Sequence, residues 1–256
     1  MTTTKTEWVV GSVQQEFNNM VTIHTIAYNE ELMIEFFINH YRGRFPNCNI
    51  IVYDNESTDS TVEIAKKHHC KVITYSTGNT LSDQKYLDIK NNCWKDSDTD
   101  WNVVCDCDEL IDVTEIDLLK EESLGTNCFR FEGYSMMNNS DEIDIPSMKY
   151  GFRDPYFDKN FLFNKKYLSE INYAPGCHTS NPKARFFRKL IFSEKKYIAL
   201  HYKYLSPQYT VNKHKLYASR RSEDDKRRGM GTHYSCSPES VIGFYEKQKD
   251  KLIEIK

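Results

Sequence analysis

The first half of the chain repeats one pattern: a short apolar segment, a polar turn, and then apolar residues at helical spacing. The apolar segments cover residues 20–27, 49–53, 71–75 and 102–105, and the amphipathic stretches between them cover residues 32–41, 61–69 and 83–95. Short β-rich segments predict strands, and apolar residues three to four apart predict helices. Strands that alternate with helices pair in parallel through right-handed crossovers. The sequence therefore predicts an α/β fold with a mostly parallel central sheet flanked by helices.

Two carboxylates follow the fourth predicted strand, in the segment WNVVCDCDELID. Alternate side chains of an extended chain share a face, so we expect Asp106 and Asp108 to point one way and Cys105 and Cys107 the other. Open α/β sheets bind ligands at the carboxyl ends of their strands. Carboxylate oxygens suit Mg²⁺ or Mn²⁺, which complete their coordination with water and substrate phosphates. The alternative interpretation is an Asp-rich turn that caps the next helix.

The polar turns after the first two strands are predicted to lie beside these carboxylates. Residues 28–30 follow the first strand, and residues 54–59 follow the second. Because the carboxyl ends of parallel strands meet at one edge of a sheet, the two turns and the acidic pair should line one crevice.

The second half of the chain has a different pattern of predicted elements. Short aromatic strands are predicted at residues 127–132, 160–164 and 196–201, among polar loops that contain several prolines. Such a half usually builds the pocket for a second substrate. Helices return from Pro207 onward, and Arg220 and Asp224 have the i,i+4 spacing of a solvated, salt-bridged helix face. With no internal repeat or linker, we expect one domain over residues 1–256.

Composition excludes several classes of protein. The net charge is −3, with acids and bases interspersed, which disfavours a strongly basic nucleic-acid binder. The eight cysteines form no C-x-x-C pair, so we expect reduced thiols and not a disulfide framework or a zinc site. No apolar stretch approaches the length of a membrane span, and the N-terminal residues lack the features of a signal peptide. We therefore expect a cytoplasmic protein, with peripheral association with a membrane left open.

Four blocks of sequence resemble the family 2 glycosyltransferases of GT-A fold, in the branch with a D-x-D-E metal motif. The blocks are TIAYNEE, DNESTDST, KNNCWKDSDTDWNVVCDCDEL, and HYKYLS together with RRGMGTHY. They are spread over most of the chain, and the first three are specific as a set. The resemblance implies a Rossmann-type fold for transferring nucleotide-diphospho-sugars. Residues of about 20–120 would form the nucleotide-sugar half, and residues of about 121–256 the acceptor half with C-terminal helices.

The resemblance also implies a set of donor-site residues. The donor would be a nucleotide-diphosphate sugar, with uridine as the expected base and Mn²⁺ or Mg²⁺ bridging the diphosphate. Asp106 and Asp108 would hold the ribose and the metal. The residues expected to border the base, with Asp54 near the base or ribose, are Thr25, Ala27, Tyr28, Asn29 and Asp54.

The remaining candidate residues are cations and histidines. Lys90 and Asn91 precede the acidic strand and are candidates for contact with the diphosphate, although an exposed helix lysine explains Lys90 nearly as well. His201 ends an apolar strand where GT-A enzymes often place a third metal ligand, and imidazole can bind Mn²⁺. His178 follows a Pro-Gly turn and is a candidate for the acceptor site and for a catalytic role beside the acidic pair. His233 suggests a closing loop or a packed turn.

The metal and a base define the chemistry that the resemblance implies. A metal ion stabilises the departing nucleoside diphosphate as a Lewis acid, and an inverting enzyme needs a carboxylate or a histidine to take the acceptor proton. The acceptor could be a glycan, a lipid-linked saccharide or a protein.

Three other classes of protein share part of this sequence pattern. In haloacid-dehalogenase phosphatases the D-x-D follows the first strand, whereas here it follows the fourth. A nucleotidyltransferase would carry a glycine-rich loop where this chain has AYNEE. A non-catalytic sugar-nucleotide-binding module of the same fold is the third alternative, and the intact acidic pair argues against it.

Overall fold

A ten-stranded sheet forms the centre of the computed structural model, which describes residues 20–255. The strands are β1 (Val21–Ala27), β2 (Asn49–Asp54), β3 (Lys71–Thr74), β4 (Trp101–Asp106), β5 (Glu109–Ile111), β6 (Cys128–Met137), β7 (Tyr150–Arg153), β8 (Leu162–Asn164), β9 (Leu168–Glu170), β10 (Lys183–Ala184), β11 (Phe192–Tyr204) and β12 (Ile253–Glu254). The main path of the sheet runs β12-β7-β6-β8-β4-β1-β2-β3, with β5 and β11 attached beside it. Strands β9 and β10 form a separate small hairpin.

Helices connect and cover these strands. They are α1 (Glu31–Arg44), α2 (Thr61–Lys67), α3 (Asp83–Asn92), α4 (Glu115–Ser123), α5 (Pro207–Arg220), α6 (Glu223–Arg227) and α7 (Pro238–Lys249). Among residues 20–255, no helix is long and apolar enough to cross a membrane.

The first four strands form the parallel part of the sheet, in the order β3-β2-β1-β4. Ile26 on β1 lies opposite Tyr53 on one side and Asp106 on the other, so the carboxyl ends of three strands meet at one edge. Beyond β4 the neighbouring strand β8 is antiparallel. The predicted α/β fold, with a mostly parallel centre flanked by helices, is confirmed.

Burial explains why the central strands are uniformly apolar. Every residue of β1 is buried, as are the first five residues of β4, because helices or loops cover both faces. Helix α1 packs Met33, Phe37 and Tyr41 into this core, whereas Leu32 remains 51% exposed. Its apolar stripe therefore has the helical spacing that the sequence indicates.

The chain does not stay extended through Asp108, and the expectation that it would do so was wrong. Cys107 and Asp108 form a tight turn between β4 and β5. The Glu109 carboxylate stabilises this turn, because its Oε2 accepts the backbone N–H of Asp106 at 2.7 Å.

Strand β11 joins the two halves of the molecule. It pairs in parallel with β6 and in antiparallel with β5, where His201 lies opposite Glu109. Its thirteen residues extend well beyond the predicted strand at residues 196–201.

The salt-bridged face predicted for the end of α5 was also wrong. Arg220 is 5% exposed, and the helix ends there. Asp224 pairs instead with Arg227 and Arg228, within the exposed segment that follows. The helical period does not continue through Arg221, so the i,i+4 geometry is lost.

All eight cysteines are free thiols, as the sequence predicts. Five of them are buried (Cys70, Cys105, Cys107, Cys128 and Cys177).

We predict that Gly133→Ala destabilises the protein. A Cβ at Gly133 would lie 2.4 Å from Cβ of Phe157, whose ring stacks on His201 with the ring centroids 4.5 Å apart. Overpacking of this kind costs about 1–3 kcal/mol, so the free energy of unfolding measured in urea should fall by that amount.

The matched control is Gly43→Ala in α1, where nothing lies within 4 Å of the added Cβ. An alanine in a helix interior stabilises by about 0.5–1 kcal/mol relative to glycine. Equal unfolding free energies for the two variants would contradict the predicted clash.

Candidate active site

An open cavity lies where the carboxyl ends of β1 and β4 meet α5. The first half of the chain contributes one wall, made of Ile26, Tyr28, Glu30, Leu81, Asp83, Tyr86, Lys90, Asp106, Cys107, Asp108 and Glu109. The second half contributes the opposite wall, made of Gly176, Cys177, His178, His201, Lys203, Thr210, Lys213, His214, Tyr217, Gly231, His233 and Tyr234.

Asp106 is held by a lysine of α3. Lys90 Nζ lies 2.6 Å from Asp106 Oδ1, and the lysine is 4% exposed. Burial alone would raise the pKa of Asp106, but Lys90 and Lys159 outweigh burial and lower it. The interpretation of Lys90 as an exposed helix lysine is wrong, since α3 turns this side chain inward to the strand end.

Asp108 faces the cavity beside His201. Its Oδ2 lies 3.7 Å from His201 Nε2, because the pairing of β5 with β11 aligns His201 with Glu109, the residue after Asp108. The backbone N–H of Tyr202 also donates to the carbonyl of Asp108. Burial would raise the pKa of Asp108, but His201 and Lys213 outweigh it, so this carboxyl group stays ionised throughout the ordinary pH range.

Lys213 is a cavity residue that the sequence did not indicate. Its Nζ lies 3.0 Å from Glu30 Oε1 and 3.7 Å from Asp108 Oδ2, so one ammonium group of α5 joins two carboxylates of the first half. Burial would lower the pKa of Lys213, but Glu30 outweighs it and the pKa rises. Burial raises the pKa of Glu30 to about 7. Because Lys213 lies in a mostly polar helix, no periodicity distinguishes it from a surface lysine.

A buried ion pair lies beneath the acidic turn. Lys159 Nζ lies 2.7 Å and 2.8 Å from the two oxygens of Glu109, and both side chains are 2% exposed. Since Glu109 also accepts the Asp106 N–H, this pair fixes the shape of the turn. Glu109 is visible in the D-x-D-E motif, but Lys159 carries no signal in the sequence.

Tyr28 lines the cavity as predicted, with an unexpected neighbour. The guanidinium carbon of Arg220 lies 3.1 Å from the centroid of the Tyr28 ring. Nη1 and Nη2 of Arg220 are buried and have no hydrogen-bond partner within the part of the chain that the structure describes.

Two predicted donor-site residues lie in the turns beside the cavity instead of lining it. Asn29 has a φ of 53° and exchanges hydrogen bonds with Thr58, and its N–H donates to Ser57. The Asp54 carboxylate is buried and accepts the N–H of Ser57. These bonds hold together the turns that follow β1 and β2.

The other predicted donor-site residues also lie outside the cavity lining. Thr25 and Ala27 are 1% exposed within β1. Asn91 makes two hydrogen bonds to the backbone of Tyr173 and so anchors the loop that carries His178. Their roles in binding stay predictions.

The histidines of the second half all reach the cavity. His178 is exposed on its wall, and His233 packs against Tyr234 with the ring centroids 3.9 Å apart. His214 lines the cavity as well, and among these four histidines only His201 lies within 4 Å of a carboxylate of the acidic turn within residues 20–255.

The fit of a metal ion can be judged from the donor atoms. Within the described part of the chain, no group of three or more His, Cys, Asp and Glu side chains is arranged to hold a metal. Asp108 and His201 do offer one oxygen and one nitrogen 3.7 Å apart, a gap that an ion with ligand distances of about 2.1 Å can bridge. A cation with two protein ligands takes its remaining ligands from water and substrate phosphates. The residues therefore fit a divalent cation that binds together with a diphosphate.

The family model for glycosyl transferase family 2 matches residues 22–181, which is more than half of the chain. The chain belongs to this family, and the resemblance to family 2 glycosyltransferases that the sequence motifs indicate is confirmed. A comparison with curated proteins gave no match.

Solved structures of several glycosyltransferases are similar to this chain at low identity. S. aureus TarS 1–349 in complex with UDP is 13% identical, with a TM-score of 0.41, and the match covers 78% of this chain and 65% of that one. Glucosyl-3-phosphoglycerate synthase from Mycobacterium tuberculosis, in complex with Mn²⁺, UDP and glucosyl-3-phosphoglycerate, is 16% identical, with a TM-score of 0.36 and coverage of 69% and 68%. The mannosyltransferase PcManGT from Pyrobaculum calidifontis, in complex with GDP-Man and Mn²⁺, is 15% identical, with a TM-score of 0.34 and coverage of 45% and 36%. The chain thus spans less than two thirds of the TarS fragment.

We predict that Lys159→Met destabilises the fold. The substitution would leave the Glu109 carboxylate buried without its cation, and breaking a buried pair in this way costs about 3–5 kcal/mol. The free energy of unfolding from a urea titration should fall by that amount.

The control is Lys166→Met, which removes the surface ion pair with Asp100, where the lysine side chain is 62% exposed. Exposed pairs contribute about 1 kcal/mol or less. If Lys159→Met lowered the free energy of unfolding no more than this control does, the buried Glu109 carboxylate would not need Lys159 as its partner.

Proposed function

We propose that this chain is a metal-dependent glycosyltransferase that moves a sugar from a nucleotide-diphosphate donor, a UDP-sugar, to an acceptor hydroxyl. The observation that carries the proposal is the meeting of Asp106, Asp108 and His201 where the two walls of the cavity join, beside two buried lysines. Two carboxylates, an imidazole and two ammonium groups suit a diphosphate with a divalent cation.

In this proposal Asp108 and His201 hold Mn²⁺ or Mg²⁺. When bound, the ion supplies Lewis-acid stabilisation of the charge that develops on the leaving diphosphate. Asp106 binds the ribose, and Lys90 holds its carboxylate in place. Lys213 faces the same region from α5 and offers a second positive charge to the phosphates.

The nucleoside is proposed to lie against the ring of Tyr28. Thr25, Ala27, Asn29 and Asp54 support this side of the cavity from behind, through β1 and the two hydrogen-bonded turns. Asn91 acts indirectly in this proposal, because it anchors the loop that carries His178.

We propose that the acceptor enters from the side of His178. This imidazole is exposed on the cavity wall, so it can take the proton from an acceptor hydroxyl as a general base. The acceptor is a glycan, a lipid-linked saccharide or a protein.

We propose a single domain in which residues of about 20–120 bind most of the donor. Residues of about 121–256 bind the acceptor and add His201 and Lys213 to the site of the diphosphate. A reducing, cytoplasmic compartment is proposed as well, because none of the eight thiols is paired.

We predict that Asp108→Asn lowers turnover by at least about 100-fold, since it removes the charge of a proposed metal ligand without changing side-chain volume. Turnover is measured as hydrolysis or transfer of UDP-sugars with saturating Mn²⁺. Thermal melting checks that the variant is folded.

Asp112→Asn is the matched control, because this aspartate pairs with Arg44 at the surface. It should keep full turnover. Near-normal turnover of Asp108→Asn would rule out the proposed role of this residue, and a wild-type chain that turns over no sugar nucleotide would favour a non-catalytic binding module.

We predict that UDP binds at least about tenfold more weakly when a chelator replaces Mn²⁺, because the diphosphate and the two aspartates then repel each other. Isothermal titration calorimetry measures both affinities. His201→Ala should raise the Mn²⁺ concentration needed for half-maximal UDP binding. Equal UDP affinity with and without metal would contradict the bridging ion, and tighter binding of guanosine diphosphate would contradict only the choice of base.

A further inference from the structure

A tight turn projects two aromatic residues from the surface directly after β10. The backbone N–H of Arg188 donates to the carbonyl of Arg185 at 2.9 Å, so Phe186 and Phe187 occupy the two central positions. Their rings contact each other, with the centroids 4.0 Å apart. We call residues 185–188 the aromatic turn.

The aromatic turn exposes an unusual amount of apolar surface. Phe186 is 86% exposed and Phe187 is 93% exposed, higher than any other large apolar residue that the structure describes. Phe187 also has a φ of 60°, in the left-handed region that glycine or asparagine normally occupies in such a turn. A strained backbone that holds a bulky apolar side chain in water is unfavourable for folding, and such features collect at binding sites.

The base of the aromatic turn is nevertheless firmly attached. The N–H of Arg185 donates to the carbonyl of Tyr167, and its Nε donates to the carbonyl of Leu168. Arg188 lies over the Tyr167 ring at 5.6 Å. The two phenylalanines are therefore presented by an anchored support.

Four basic residues lie within three positions of the two phenylalanines in the sequence. Lys183, Arg185, Arg188 and Lys189 are all exposed, and none of them forms an ion pair with a carboxylate within residues 20–255. The charge is local, because the whole chain has a net charge of −3. The two phenylalanines form an apolar tip, and the basic residues beside them carry positive charge without a carboxylate partner. This combination is complementary to a surface that has anionic groups above an apolar layer.

We propose that the aromatic turn docks this protein on an anionic lipid bilayer. Phe186 and Phe187 enter the boundary between headgroups and acyl chains, while the four basic side chains contact the anionic headgroups. The two rings contact each other at an interplanar angle of 49° and so form one compact apolar tip. This favours a bilayer over a nucleic acid, because an intercalating surface would present its aromatic faces separately to successive bases.

The position of the aromatic turn connects it to the cavity. His178 and Phe186 are eight residues apart in the sequence, which limits their separation to about 28 Å even for a fully extended chain. A bilayer held by the turn therefore lies within about 28 Å of His178. The docking proposal itself does not depend on transferase activity.

The test is co-sedimentation of the full chain with lipid vesicles. The wild-type protein should bind phosphatidylcholine vesicles that contain about one third phosphatidylglycerol, should not bind pure phosphatidylcholine, and should be released by salt, which screens the charges. Phe186→Ser with Phe187→Ser should weaken binding by about tenfold or more. Lys183→Glu with Lys189→Glu should weaken it by a larger factor, because each basic residue near such a surface contributes about fivefold.

Matched controls separate the aromatic turn from exposure or charge alone. Ile116→Ser with Leu124→Ser removes two apolar side chains that are 79% and 69% exposed near the acidic helix α4, and should leave vesicle binding unchanged. Lys66→Glu with Lys67→Glu makes the same charge change on α2 and should have a much smaller effect. All variants should keep the wild-type melting temperature and metal-dependent UDP binding.

The proposal would be overturned if the wild-type protein bound no vesicles or bound both vesicle types equally. Equal losses of vesicle binding in the turn variants and the controls would also overturn it. So would a dimer that the phenylalanine variant dissociates, if the wild-type protein does not bind vesicles. Binding of an RNA oligonucleotide that is lost in the turn variants, without vesicle binding, would also overturn it. Because UDP binding is measured in parallel, failure of the docking proposal is distinguishable from failure of the proposed transferase.

Discussion

The backbone pairing of β5 with β11 determines which residues of two distant segments meet in the cavity. Its register aligns His201 with Glu109 and brings the N–H of Tyr202 onto the carbonyl of Asp108. A shift of one residue would turn His201 to the other face of its strand. Because β11 also pairs with β6 and leads directly into α5, the same strand positions the wall that carries Lys213.

Electrostatics inside the cavity depend on a near balance of buried charge. Four carboxylates (Asp106, Asp108, Glu109 and Glu30) face three ammonium groups (Lys90, Lys159 and Lys213). Burying such groups is costly unless each finds a partner, and burial, with a smaller contribution from the neighbouring Asp108, raises the pKa of Glu30 to about 7. The lysines keep the acidic groups in fixed positions before any ligand arrives.

Local patterns predicted the parallel half of the fold, because strand and helix periodicity needs only neighbouring residues. The acidic pair and the thiols were also visible in short motifs. Predictions that required a particular turn or a distant partner were wrong. The chain was expected to stay extended through Asp108, but it turns at Cys107, where Glu109 accepts a backbone hydrogen bond. Arg220 was expected on a solvated helix face, but it lies over the ring of Tyr28. Lys159 and Lys213 were missed altogether, since a lysine in a polar stretch looks the same whether its partner is water or a buried carboxylate 50 or more residues away.

The length of chain between the acidic turn and β11 has a consequence for synthesis on the ribosome. When residues through Asn164 have emerged, β1 to β4 and their antiparallel neighbour β8 can already pair, and Lys90 can already reach Asp106. His201 and Lys213 are still inside the ribosome or unmade at that point, so Asp108 lacks both of its partners. A nascent chain therefore carries Asp108 without its histidine and lysine partners, and the cavity becomes complete only when the last third of the protein has been translated.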